Sequence, residues 1–156
     1  MSKIGIISDT HGFLSEAASD ALRGSSRIVH AGDIGGTEIL KTLSYLAPVT
    51  AVRGNMDGGS WADALPHNDT LAIEGIHLFV LHDVLRLDLD PTAAGFGAVI
   101  SGHTHQASIT RKNGVWLINP GSASQPRYGA QPSIAILEIV SGRMNARIVS
   151  FDGSNR

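Results

Sequence analysis

Short apolar runs, each ending abruptly at a polar residue, set the rhythm of the first third of the chain. Residues 3–8 contain three isoleucines and stop at Asp9-Thr10-His11-Gly12, which reads as a buried strand feeding a loop. Residues 13–22 then carry apolar positions at helical spacing, with Gly24 as the stop. A second strand is predicted over 27–30, ending at Ala31-Gly32-Asp33, and a helical pattern over 38–46 is closed by Pro48. A third strand, 49–52, ends at Arg53-Gly54-Asn55. Such a βαβαβ opening requires parallel strands with right-handed crossovers.

The pattern then changes. Residues 58–68 show no periodicity and are read as a loop holding Trp61 and Pro66. Residues 71–73 and 77–81 flank Glu74-Gly75 as a hairpin, and 98–101 form another apolar strand ending at Gly102-His103. Segments 108–110 and 115–118 face each other across Asn113-Gly114, a strong hairpin-turn dipeptide. Segments 134–140 and 144–149, joined at Ser141-Gly142, complete a last hairpin. The order is α/β first and antiparallel β afterwards. Without a repeat, linker or low-complexity tract, residues 1–156 are expected to form one domain, long enough to bury roughly two-thirds of the unfolded surface.

Composition narrows the function classes. With 42% hydrophobic and 17% charged residues, the chain has the make-up of an ordered globular protein. Its net charge is -2 and its basic residues are scattered, so the basic stripe of an extended nucleic-acid binder is missing. No cysteine is present, which rules out disulfides, thiolate metal sites and thiol nucleophiles. No run reaches the ~20 apolar residues of a membrane span. The expectation is a soluble cytoplasmic protein without a membrane or polymeric partner.

The chemistry collects just past the ends of the predicted strands. Asp9 and His11 follow the first, Asp33 the second, Asn55 the third, His82 a later one, and His103 with His105 another. Open α/β sheets place ligands outside the carboxyl ends of their strands, so these loops can converge. Carboxylates, imidazoles and an amide oxygen suit manganese, iron, cobalt, nickel or zinc. Asp-x-His in a loop can put two donors on one ion, and His-x-His in an extended segment points both rings one way. Glycines 12, 32, 54 and 102 flank the donors, as expected where the backbone turns sharply or lets a ligand close. Each motif alone has an ordinary explanation: a helix cap, a common turn, a surface histidine. Together, at successive strand ends, they point to a metal site. His67 and His77 are read as surface or hairpin residues, and His30 as a buried neighbour of the site rather than a ligand.

In this order, Asp9-x-His11, Gly32-Asp33, Gly54-Asn55-x-Asp57, His82 and Gly102-His103-Thr104-His105 resemble the signature of the calcineurin-like metallophosphoesterases. Asn119-Pro120-Gly121-Ser122, Pro126-Arg127 and Leu87-Asp88-Leu89-Asp90-Pro91 resemble its small bacterial phosphodiesterase branch. The resemblance implies a four-layer αββα sandwich of two mixed sheets flanked by helices, and a site for two divalent ions, with manganese the leading candidate. Asp9, His11 and His105 would hold the first ion, and Asn55, His82 and His103 the second, with Asp33 shared. The implied reaction is hydrolysis of a small phosphodiester or phosphomonoester by in-line attack of a hydroxide held between the ions, with Asp33, Asn55, His103 and Asp57 in the catalytic set. Relatives are often oligomeric, which extends the expectation to a homo-oligomer.

Two departures from the family pattern stand out. Many relatives carry a histidine after the asparagine, proposed to protonate the leaving group, but here that residue is Met56, whose thioether cannot donate a proton. Asp57 could orient a water, steady a ligand or simply cap its loop. Where relatives read His-Gly-His or His-Gly-Asp, this chain has His82-Asp83, which points to a different loop and a weaker second ion. Arg53 and Arg127 are phosphate-clamp candidates, with a surface salt bridge as the competing reading. The 119–122 loop is expected to be a structural turn, and Trp61 and Trp116 to pack rather than stack on a base. The principal rival function is a non-catalytic protein-binding scaffold, as in the retromer subunit of this fold. That reading predicts lost ligands. A second rival is a regulatory metal- or nucleotide-binding module without turnover.

Overall fold

The computed structural model describes residues 1–127 and 129–152, so the last four residues of the expected domain lie outside the described part. Ten strands form two five-stranded sheets. The first has the order β10-β9-β1-β2-β3, built from β1 (Ser2–Ile7), β2 (Arg27–His30), β3 (Val49–Ala51), β9 (Ser133–Val140) and β10 (Arg143–Ser150). The second has the order β4-β5-β6-β8-β7, built from β4 (Asn68–Ile73), β5 (Ile76–Leu81), β6 (Phe96–Ile100), β7 (Ser108–Lys112) and β8 (Val115–Asn119). Both sheets are mixed, and each contains a parallel triplet: β1-β2-β3 in one, β5-β6-β8 in the other. The βαβαβ opening is thus realised.

Alternation along β1 divides the interior. Ile4 and Ile6 face the space between the sheets with Val29, Leu78, Val80, Ile100 and Leu137. Ile7, one residue out of phase, faces the helices with Leu22, Ile28, Leu43 and Ile136. Helix α1 (Glu16–Leu22) is capped by the Ser15 hydroxyl, which accepts from the Ala18 N–H at 3.1 Å. It lies so close to β1 that a Cβ on Gly5 would come within 2.5 Å of Leu22. Helix α2 (Thr37–Ser44) buries Ile39 and Leu43, one turn apart.

The outer face of the second sheet is covered differently. Phe79, Leu81, Val99 and Val115 pack under Leu87 and Leu89 of segment 83–95, whose only helical feature is a 3₁₀ turn at Val84–Arg86. The alternation Leu87-Asp88-Leu89-Asp90 has period two, so this segment covers the sheet in extended form instead of as a helix. Two details escaped the periodicity. One turn of helix, α3 (Ser60–Asp63), lies inside the expected 58–68 loop, and β4 begins at Asn68 instead of 71. A single turn is too short to show a period. The first residues of β4 are polar because it is an edge strand.

Candidate metal centre

The carboxyl ends of both parallel triplets open at one edge of the sandwich, and the loops there interlock. A Cβ on Gly54 would come within 2.1 Å of the Asp33 nitrogen, and one on Gly102 within 1.9 Å of the Ser8 hydroxyl. Neither glycine is there for its φ angle; it is there because another loop occupies the space. The Asp57 carboxylate fastens the same contact. Its Oδ1 accepts the N–H groups of Ile34 (2.9 Å) and Gly35 (3.1 Å), and its Oδ2 that of Gly54 (2.9 Å). Asp57 thus sits as a buried clamp between the Asp33 and Asn55 loops, its oxygens engaged by main chain.

The 119–125 segment buckles two further loops together. The Ser122 and Ser124 hydroxyls donate to the Asp9 carbonyl, and Ser124 also to that of Thr10. Asn119 donates to the Gly102 carbonyl and to Thr104 Oγ1. Its role is structural, as expected. His30, fully buried, lies beneath. It accepts the Gly32 N–H at Nδ1, and its Nε2–H donates to Thr10, whose hydroxyl is itself committed to the Ile34 carbonyl. Burial and the neighbouring His82 push its pKa down to about 3, which keeps the ring neutral; with Nδ1 and Nε2 already engaged by Gly32 and Thr10, it has no nitrogen left for an ion.

This scaffold brings the seven expected donors together. Asp9 Oδ1 lies 3.3 Å from His105 Nε2, which is 3.2 Å from His11 Nε2. Asp33 Oδ2 lies 3.3 Å from His82 Nε2. Asn55 Oδ1 lies 2.9 Å from His82 Nε2 and 3.2 Å from His103 Nδ1. Asp9 Oδ1 also comes within 3.9 Å of His82, so that carboxylate reaches both groups. Two ligands on one ion with bonds of ~2.1 Å stand roughly 3.0–3.4 Å apart, and these separations match.

Three further observations fit a cation. Asp9 Oδ1 is buried without a hydrogen-bond partner among the described residues, a costly state unless a positive centre faces it. His82 and His105 each donate Nδ1–H to a backbone carbonyl, Ala31 at 2.7 Å and Gln125 at 2.6 Å. That is how metal-binding histidines are commonly oriented, with Nε2 aimed at the centre. Finally, Asp9, His11, Asp33, His103 and His105 all adopt positive φ; the three other non-glycine residues that do so, Glu74, Asn113 and Ser141, sit in hairpin turns. Left-handed backbone at side-chain-bearing residues collects where function requires it.

The charges respond to this crowding. Burial alone would lower the pKa of His82, but Asp33, the Ala31 carbonyl and Asp9 outweigh it and hold the ring above its ordinary value. Burial likewise opposes ionisation of Asp33, yet His82 and the Met56 N–H bring its pKa below the usual range. An imidazole Nε2 ringed by Asn55, Asp33 and Asp9 oxygens calls for a proton or a metal.

The remaining predicted residues are spread out. Arg53 donates Nε–H to the Asp57 carbonyl and pairs through Nη1 with Asp63 at 3.1 Å. It lines a cleft of about 530 Å³ that opens beside Asn55, His82 and His103. Arg127 is exposed and does not line that cleft. Trp61 and Trp116 pack against the hydrophobic layers, Trp116 under the Arg111 guanidinium. His67, read from the sequence as a surface or hairpin residue, and Arg86, which the sequence did not single out, also line the cleft. The Met56 side chain is 70% exposed.

Residues 2–142 match the family model of the calcineurin-like phosphoesterase superfamily domain. A probable metallophosphoesterase of Methanothermobacter thermautotrophicus is 36% identical, over 94% of this chain and 91% of its own. A phosphodiesterase of Methanocaldococcus jannaschii is 28% identical over 87% and 92%. Among solved structures, Vps29 of Entamoeba histolytica complexed with zinc superposes with a TM-score of 0.73 at 21% identity, covering 96% of this chain and 99% of that one. No helix among the described residues is long and apolar enough to cross a membrane.

Proposed function

The chain belongs to the calcineurin-like phosphoesterase superfamily, and on that premise we propose that it is a phosphodiesterase acting on a small phosphate ester at a two-ion centre. The observation that carries this reading is a buried, unpartnered Asp9 oxygen faced by the His11, His82 and His105 rings, with Asp33 and Asn55 against His82 and His103 against Asn55. Asp9, His11 and His105 would hold one ion, Asn55, His82 and His103 the other, and Asp33 would lie between them. All 156 residues serve as one domain in this reading. Manganese is the leading ion, with nickel, iron, cobalt or zinc also suited to these ligands. The cysteine-free composition fits a reducing compartment such as the cytoplasm.

When bound, such ions neutralise charge on the phosphoryl oxygens and make a water nucleophile available near neutral pH. The protein's own contribution is orientation. The Ala31 and Gln125 carbonyls fix two imidazoles, the Asp57 clamp fixes the Asp33 and Asn55 loops, and Asp9 Oδ2 is held by the Ser8 hydroxyl and the His103 N–H. In hydrolysis a water oxygen forms the new bond to phosphorus and the alcohol departs. Met56 offers that alcohol no proton, so activated esters are the favoured substrates.

The test is hydrolysis of bis(4-nitrophenyl) phosphate by purified protein with added manganese. Turnover abolished by chelation and by Asp33→Asn supports the reading. Inert protein that binds a partner tightly would establish the scaffold reading instead. Against a scaffold stands the complete set of metal-competent side chains.

A further inference from the structure

The departure at His82-Asp83 has a structural result that bears on substrate choice. Asp83 Oδ1 accepts the Leu85 N–H at 3.0 Å and the Asp83 carbonyl accepts that of Arg86 at 3.0 Å, forming the Val84–Arg86 turn directly after a ligand. The turn sets Arg86 in the wall of the 530 Å³ cleft whose inner end is Asn55, His82 and His103. Opposite runs β4. Its register pairs Asn68 with Leu81, which brings His67 alongside His82, and the Arg53 N–H binds the Pro66 carbonyl at 2.8 Å. Arg53 completes the wall, with Nε and Nη1 already anchored. The one acidic side chain in the lining, Asp83, is engaged in the turn and faces His103 at 3.9 Å.

We infer that this cleft receives the leaving arm of the substrate, and that Arg86, Arg53 and His67 select an arm carrying a second anion, a carboxylate or terminal phosphate. The inference rests on the phosphoesterase reading and adds the substrate class: a phosphodiester with an anionic leaving group. Three hydrogen-bond donors around a cavity of this size suit a small anionic group better than a neutral alkyl or aryl one. Arg53, held by the Asp57 carbonyl and Asp63, loses little freedom in binding it.

The experiment compares two methyl 4-nitrophenyl phosphodiesters whose aryl group carries either a carboxylate or a carboxamide. Manganese-loaded wild type is expected to favour the carboxylate by about tenfold in kcat/KM, the size of one charge-assisted hydrogen bond. Arg86→Gln should collapse that ratio toward one, Arg86→Lys should retain part of it, and the remote Arg143→Gln should leave it intact. Because each ratio compares two esters on one protein, a folding defect cancels. Equal rates in wild type, or a ratio insensitive to Arg86, would overturn the inference while leaving the phosphoesterase reading standing. If neither ester is turned over, the activity reading fails. The cleft is then decided by calorimetric titration of the carboxylated arylphosphonate against its carboxamide: an Arg86-dependent preference supports it, equal binding overturns it.

Discussion

The two halves of the candidate metal centre are built to different standards. The Asp9–His11–His105 half lies deep: Asp9 is fully buried, and the His11 and His105 side chains are 19% and 11% exposed. The Asp9 loop is tied down by Ser122, Ser124, the Gly32 carbonyl and the His30–Thr10 pair. The Asn55–His82–His103 half opens on the cleft. Asn55 is exposed, His103 is 42% exposed, and among the described residues its ring nitrogens face the Asn55 amide and, at 3.9 Å, Asp83. Of that half only His82 is buried and fixed by a backbone carbonyl. Under the two-ion proposal, this division predicts a tightly held ion in the deep half and an exchangeable one beside the cleft.

The largest test removes what both halves share. Asp33→Asn and Asp9→Asn should each lower kcat/KM by at least about a thousandfold, the upper range for losing a group that stabilises the transition state. A steady-state assay with activated diester checks this, and a tenfold effect would mean the two carboxylates are not central. Next comes the clamp. Asp57→Ala leaves three N–H groups unpaired, those of Ile34 and Gly54 buried, and should cost about 3 kcal/mol in urea unfolding, as expected when several charge-assisted hydrogen bonds are lost. A loss under 1 kcal/mol would show that the loops are held by backbone contact alone.

Metal titration addresses the asymmetry directly. Calorimetry with manganese should resolve two phases. His103→Ala should weaken only the weaker phase and His105→Ala the tighter one, each by roughly 10–100-fold, on the scale of ligand-sphere losses. Two equal phases in wild type would erase the distinction. The smallest effect is a pH slope beneath the deep half. His30 has a folded pKa of about 3 against 6.5 unfolded, so its contribution is complete above pH 6.5 and is lost as pH falls toward 3. Metal-free protein should therefore lose up to ~1.4 kcal/mol of stability per pH unit from this residue below pH 6.5. His82, raised in the fold, acts in the opposite sense, losing its contribution as pH rises through its folded value. Subtracting the pH profile of His30→Gln isolates the first term. Parallel profiles for the two proteins would refute it.

Much of this was legible along the chain because the donors sit where apolar runs stop. Asp9, Asp33, Asn55 and His103 each follow a run of strand-forming residues, and a parallel topology brings such ends together. The turn at Asn113-Gly114 was readable for a local reason, both residues having positive φ. What was not readable depended on partners far away in sequence. His67 lines the cleft only because β4 pairs with β5 in one register, and Arg86 only because Asp83 winds a 3₁₀ turn. Asp57 illustrates the same limit. Nothing near it in sequence reveals that two of its three donors, Ile34 and Gly35, come from another loop. The thin cover on the second sheet also follows from a local period of two, legible at Leu87-Asp88-Leu89-Asp90.

Met56 donates its main-chain N–H to Asp33 Oδ1 at 2.8 Å while its side chain stands in solvent. The backbone there is committed and the side chain is not, so every residue except proline can do the structural task. Position 56 is therefore a neutral site in the evolutionary sense, where the leaving-group acid can be gained or lost by one codon change without passing through an unfolded ancestor. A Met56→His variant should fold as well as the parent and extend its range to poorer leaving groups, measured as the rate on phenyl relative to 4-nitrophenyl diesters.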